Sequence, residues 1–310
     1  MITIFSSPRP FKGKFKILQY NALASWRYLC PDCEIILIED EEQTTQPYAD
    51  KFQAKCISNI KVNPEGVYYL NDIFKKVKKI AKNPILAHVN ADIILTKSFF
   101  DSISKIKDQS DMFYMIGRRW NLNVEKKINF LQKWEPKLIK KLNASGQIHP
   151  PTGIDYWVFS KSIDWPLPPF LVGRPAADNW LIYYARLKNI PVIDTTAVAT
   201  VIHQNHPRPF GDSSYLKQRE NNQKLYRKNT KNTRLDNYYF DVTDATLKLG
   251  ARGHLKRRYF LKLWLKNLVY ARYAPQILDQ NKIYWIALGS IINPFLDFVV
   301  KQIKSAKNLV

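Results

Sequence analysis

Where the apolar runs of this chain give out, residues gather that can bind cations and phosphates or move protons. Ile85 to Val89 runs into Asn90-Ala91-Asp92, and far later Val201-Ile202 runs into His203-Gln204-Asn205-His206. A carboxylate oxygen is a hard ligand for divalent cations, and an imidazole nitrogen suits Mn²⁺ better than Mg²⁺. Asn90 offers a carboxamide that hydrogen-bonds without contributing charge. Ser6, Ser7 and Arg9 follow the first apolar run, and Glu39 and Asp40 close the second. Two further stretches carry a carboxylate among groups suited to a substrate: Thr152-Gly153-Ile154-Asp155-Tyr156-Trp157, and Gly173-Arg174-Pro175-Ala176-Ala177-Asp178-Asn179-Trp180. Arg118, Arg119 and Arg174 have the planar fork that pairs with a diphosphate. Each group also has an ordinary structural use. A strand-end Asp forms turns or caps helices, a His beside Pro207 and Pro209 hydrogen-bonds a loop, Tyr156 and Trp157 fill a core, and an arginine sits in water.

The elements that must position these residues follow from periodicity. Ile2 to Phe5 reads as a buried strand, Phe15 to Leu29 as a helix carrying Ile17, Leu18, Ala22 and Trp26 at helical spacing, and Glu34 to Glu39 as a second buried strand. Tyr69 to Ala81 is an amphipathic helix stopped by Asn83-Pro84, and Ile85 to Val89 the strand after it. Met112 to Ile116, Tyr156 to Phe159, Val192 to Ile193 and Val198 to Ile202 add strands, Asn179 to Lys188 adds a helix, and Ser213 to Lys231 is a polar helix or linker. Strands alternating with helices predict an α/β fold with a mostly parallel sheet flanked by helices. Ligands of such a sheet bind at the carboxyl ends of its strands, where Ser6, Glu39 and Asn90 would meet.

On these residues the chain resembles the nucleotide-sugar glycosyltransferases of the GT-A fold over roughly its first 210 residues. The resemblance implies that the opening βαβ unit binds the nucleoside, with Ser6, Ser7, Arg9, Glu39 and Asp40 at the nucleotide. It implies that Asn90 and Asp92 stand where the family has an acidic D-x-D motif that holds a divalent metal, with Asn90 departing from the first aspartate. A late histidine commonly joins that metal, so His203 and His206 join Asp92 as metal ligands, for Mn²⁺ or Mg²⁺. Asp178 then stands as the general base that takes the proton of the attacking sugar hydroxyl. Gly153, Asp155, Tyr156, Trp157 and Arg174 would bind substrate. A cation beside the departing diphosphate would neutralise the charge that develops there.

The 310 residues carry 48 Lys+Arg against 26 Asp+Glu, a formal net charge of +22, which favours anionic partners. Cys30 and Cys33 form a C-P-D-C pair with no second pair, which suggests neither a disulfide framework nor a structural zinc, and a reducing intracellular compartment. We expect a catalytic domain over residues 1–245 and a helical, basic and apolar C-terminal region over 246–310. In that region His254 to Arg272 reads as a basic amphipathic helix, and Ile283 to Val300 as an apolar run short of a spanning helix. Together they predict attachment to an anionic membrane surface on the cytoplasmic face, fitting a glycan or lipid-linked acceptor. The expected activity is sugar transfer from a nucleotide-sugar, UDP-linked by preference. The alternatives are a non-catalytic nucleic-acid-binding protein, which the charge permits but no recognition motif supports, and a metal-dependent nucleotidyltransferase, which Asn90 suits poorly.

Overall fold

Alternation of apolar side chains decides the layering. In the first strand Ile2 and Ile4 join one core and Phe5 the opposite one; in the second, Ile35 and Leu37 join the first core and Ile36 and Ile38 the other. Such a strand must be covered on both faces, and it is. The computed structural model describes residues 1–131, 133–207, 212–230 and 239–258.

In chain order the described residues form β1 (Ile2–Ser6), α1 (Gly13–Leu29), β2 (Glu34–Ile38), α2 (Gln46–Lys51), β3 (Lys55–Ile57), α3 (Leu70–Ile80), β4 (Ile85–Val89) and β5 (Ile93–Leu95). There follow α4 (Lys97–Lys107), β6 (Tyr114–Ile116), β7 (Trp120–Leu122), α5 (Trp134–Ser145), β8 (Gln147–Ile148) and β9 (Tyr156–Ser160). The remainder is α6 (Ala177–Leu187), β10 (Val192–Asp194), β11 (Val201–Gln204), α7 (Ser213–Asn229), β12 (Leu247–Leu249) and β13 (Leu255–Arg257).

The main sheet has nine strands in the order β13-β12-β10-β6-β9-β4-β1-β2-β3. All run parallel except β9, antiparallel to both β4 and β6, and the edge strand β13. The α/β architecture expected from the sequence is therefore the one observed. One core packs α3, α6 and α7 on the sheet through Phe74, Val77, Trp180, Tyr183 and Tyr226. The opposite core packs α1 and α4 through Leu23, Trp26, Phe99 and Ile103. A second, four-stranded sheet, β5-β11-β7-β8, stands beside it and is covered by α5 through Trp134, Leu138 and Leu142.

Two expectations change here, and a third falls outside the described residues. The main sheet continues past residue 245 to Arg257, so the first residues of the expected amphipathic helix are an edge strand instead; Leu255 to Arg257 pairs with β12. Residues 259–310, including the apolar run, lie outside the described residues, and among the described residues no helix is long and apolar enough to cross a membrane. Finally, Cys30 and Cys33 form a disulfide. α1 stops at Leu29, and the turn that follows, closed by Cys33 N–H donating to Cys30 O at 3.1 Å, brings the two Cα atoms to 5.3 Å, a separation that a disulfide spans.

Candidate active site

The parallel strands of the main sheet deliver β1, β2, β4, β6 and β10 to one edge with their carboxyl ends. Because β9 runs the other way, its entry, Asp155, meets the end of β4: Asn90 N–H donates to Asp155 O at 3.0 Å. The chain then turns through Asn90-Ala91-Asp92 into β5, whose antiparallel partner is β11, with Ile93 opposite His203. Sequence positions far apart are thereby brought together at Asp92.

His206 Nε2 lies 2.9 Å from Asp92 Oδ2, and His203 Nε2 lies 3.4 Å from the same oxygen. The ligand atoms of all three fall within 4.8 Å of one another. Burial opposes ionisation of Asp92, but hydrogen bonds and charge from His203 and His206 overcome it and hold the carboxyl far below the usual carboxylate range. His206 is raised above the ordinary imidazole value, chiefly by its bond to Asp92 and against burial. Asp92 Oδ1 and His203 Nδ1 are buried without a hydrogen-bond partner in the structure. A buried carboxylate oxygen without a partner is costly, so this donor set fits a cation that would bind it. One carboxylate and two imidazoles form a mixed O/N donor set for a divalent metal.

Sequence reasoning missed the residues that fix this cluster. Gln204, buried between the two imidazoles in sequence, donates from Nε2 to Asp92 O at 2.9 Å and to Leu18 O at 2.8 Å. Its Oε1 accepts from Asn21 Nδ2 at 3.0 Å. Ser25 Oγ accepts from Leu95 N–H at 3.1 Å, and Trp26 Nε1 donates to Ile93 O at 2.9 Å. Asn21 and Ser25 fall on the helical stripe of Leu18, Ala22 and Trp26, and polar residues on an apolar stripe were the available signal.

Asp178 lies in the first turn of α6, one residue inside the helix and not at its cap; the cap position is Ala176, in the left-handed region with φ 101°. Burial raises the Asp178 carboxyl to about 6; backbone N–H groups of the helix start work against that shift, and the charge of Asp155 adds to it. Such a value suits a group that accepts a proton near neutral pH.

The chain is similar in fold to several solved structures. S. aureus TarS 1–349 in complex with UDP-GlcNAc is similar at 10% identity and TM-score 0.46, over 73% of this chain and 70% of that one. S. aureus TarS 1–349 gives 11% identity and TM-score 0.43 over 86% and 78%. The mannosyltransferase PcManGT from Pyrobaculum calidifontis, in complex with GDP-Man and Mn²⁺, gives 11% and 0.42 over 73% and 63%. No protein-family model matches the chain, and no curated protein matches it in sequence. At these identities and scores the likeness carries nothing about chemistry, which rests on the site itself.

The remaining expected residues divide between the site and the framework. Arg9 comes close enough to bear on both Arg174 and His206, and it stacks over Phe15, which packs edge-on against the His206 ring. Arg174 lies over Tyr215 and donates to Gln218 Oε1 from Nε at 2.9 Å. Ser7 is half-buried at the same edge, whereas Ser6 is buried and donates to Val89 O at 2.5 Å, tying β1 to β4.

Other candidates are committed to structure. Asp40 accepts from Glu42 N, Thr44 N, Thr44 Oγ1 and Thr45 Oγ1, and Glu39 accepts from Thr45 N and the Cys56 thiol, so both carboxylates build the turn after β2 and leave little to offer a nucleoside. Asn90 donates to Asp155 Oδ1, and Arg119 binds the other Asp155 oxygen, so Asp155 is buried and paired within the protein. Tyr156 is buried toward the α1 side, its hydroxyl 2.8 Å from Thr195 Oγ1, and Trp157 is buried toward the α3 side, stacked on His88. Alternation along β9 sends these neighbours to opposite cores, which removes both from any sugar platform. Gly153 does meet a close approach: a Cβ there would stand 2.3 Å from the His149 ring.

Proposed function

We propose that the protein transfers a sugar from a nucleotide-sugar donor, UDP-linked by preference, to a hydroxyl of its acceptor, assisted by a divalent metal. The observation that carries this reading is the meeting of Asp92, His203 and His206 at the carboxyl edge of a mostly parallel sheet, with one buried carboxylate oxygen left without a partner. Arg9, close to both His206 and Arg174, supplies with Arg174 the positive charge that a diphosphate needs.

Asp92 through its free oxygen, His203 and His206 would hold the metal, Mn²⁺ in preference to Mg²⁺, and bound there it would neutralise charge on the leaving diphosphate. The rest falls to the protein. Arg9 and Arg174 pair with phosphate oxygens and orient the donor. Asp178 takes the proton of the acceptor hydroxyl as that oxygen bonds to the anomeric carbon. The bond between that carbon and the diphosphate oxygen breaks, and the nucleoside diphosphate leaves with the electron pair. Asn90 and Arg119 hold Asp155 in place beside this edge, and Asp155 in turn keeps Asp178 a stronger base.

The deciding assay is release of UDP from UDP-sugars by the full chain with Mn²⁺, slow without acceptor. Asp92→Ala should lower that rate by about two to three orders of magnitude, the usual consequence of removing a group that stabilises developing charge. Equal release by wild type and a folded Asp92→Ala variant would defeat the assignment. Calorimetric titration with duplex DNA separates the binding-protein alternative: tight, salt-sensitive DNA binding with no heat from UDP and Mn²⁺ would favour that reading.

A further inference from the structure

Next to the loop that bears His206 lies a cavity that the proposed chemistry does not use. It has a volume of about 550 Å³ and opens between residues 123–129 and α5. Within α5 the residues Trp134, Lys137, Leu138 and Lys141 recur at helical spacing, so one face of the helix gives the cavity both an apolar wall and two ammonium groups. The facing loop adds Lys126 and Lys127. Trp134 and Leu138 are buried, and the four lysines are exposed.

These cations are not neutralised. Lys141 Nζ donates to Asn123 O at 2.7 Å, and Lys127 Nζ stands 4.3 Å from the centre of the Tyr20 ring, both uncharged partners. Among the described residues none of the four comes within 4.0 Å of a carboxylate, and Glu125 is the single acid on the wall.

The cavity is also joined to the reaction centre. β7 and β11 lie parallel, so the loop of the cavity and the loop bearing His206 leave the small sheet at the same edge. Asn205, next to His206, donates from Nδ2 to Asn123 Oδ1 at 2.7 Å and from its backbone N–H to Leu122 O at 3.0 Å. Asn21 fixes the loop from below, donating to Lys126 O and accepting from Ile128 N–H while it holds Gln204.

We infer that this cavity binds the phosphate group of an amphiphilic acceptor, with the lysines on the phosphate and the first carbons of its chain on Trp134 and Leu138. Ammonium groups without a carboxylate partner around an apolar wall complement a phosphate-headed chain better than they complement either part alone. Its role as acceptor site rests on the transferase reading above; its ligand chemistry does not.

The test is calorimetric titration of the full chain with octyl phosphate below its micelle concentration, beside inorganic phosphate and octyl glucoside. Octyl phosphate should bind at least tenfold more tightly than either. Lys126→Ala/Lys137→Ala should weaken it about tenfold or more, as loss of charge-assisted bonds requires. The equally charge-reducing pair Lys55→Ala/Lys107→Ala should leave it unchanged. The inference is overturned if octyl phosphate does not bind, if inorganic phosphate or octyl glucoside equals it, or if the control pair weakens it as much. A parallel titration with UDP and Mn²⁺ keeps the two readings apart: nucleotide bound without octyl phosphate sinks the cavity alone, and octyl phosphate bound without nucleotide sinks the transferase.

Discussion

Asn90 donates its side-chain amide to Asp155 Oδ1 at 2.8 Å while Arg119 binds the other oxygen of the same carboxylate. This explains a carboxamide where an acid was expected. An aspartate at position 90 would set two carboxylates against each other with one guanidinium between them. Asn90→Asp should therefore cost about 1–3 kcal/mol of stability at neutral pH, since a buried acceptor loses its donor and meets a like charge. The deficit should shrink on acidification as one carboxyl of the pair takes a proton. Thermal melts of both proteins from pH 5 to 8 check it, and a pH-independent difference would show that repulsion is not the cause.

Asp92, His203 and His206 make a prediction that needs no knowledge of the sugar. A ligand that binds only the folded state stabilises it by about 2.7 kcal/mol at a hundredfold excess over its Kd. Mn²⁺ should raise the melting temperature of the wild type, EDTA should reverse the rise, and Asp92→Ala or His203→Ala should abolish it. Undiminished Mn²⁺ stabilisation in Asp92→Ala would place the ion elsewhere.

The strands that position this site could be read from the chain because their side chains obey one local rule. Ile85–Val89 is observed as expected, and β1, β2, β9, β10, α3 and α6 fall within a few residues of their expected bounds. The reversal of β9 could not be read, because a strand buried on both faces looks the same in either direction. Yet that reversal places Asp155 at Asn90. The small sheet was equally hidden, its strands being two to four residues long; His203 accordingly lies within β11 and not after a strand ending at Ile202. Pairing of Asp92 with the late histidines was anticipated from family resemblance. The role of Gln204 was not, since a glutamine between two histidines looks like a loop until the partners around it are known.

Arg174 tests the diphosphate. Its guanidinium is held by Gln218 and Tyr215 close to Arg9, and burial, with Arg9 adding to it, lowers its pKa from the usual arginine value. Keeping two cations together costs stability unless an anion joins them. Arg174→Ala should weaken UDP binding by about tenfold to a hundredfold, in line with loss of a charge-assisted pair. UMP, lacking the second phosphate, should be affected less. Equal losses for UDP and UMP would move Arg174 away from the diphosphate.

Asp178 carries the pH dependence. Burial raises its carboxyl to about 6, above the unfolded value of about 3.9, so the folded state favours the protonated acid. Its contribution to stability is therefore full below pH 4 and is lost as pH rises from about 4 to 6, with a cost above that of up to about 3 kcal/mol, reduced because the residue is half-buried. Catalysis runs the opposite way: a general base must be ionised, so kcat/KM should climb with pH to a half-maximum near 6 and then level off. Asp178→Asn removes the ionisable proton at little change of shape. It should melt higher than the wild type at pH 8, match it near pH 4, and transfer sugar at least about a hundredfold more slowly, the usual worth of a positioned base. These outcomes separate function from structure, because a residue serving only to start α6 would lose stability on substitution and leave the rate profile where it was. An Asp178→Asn protein that keeps both the rate and the inflection near 6 would assign the proton transfer to another group.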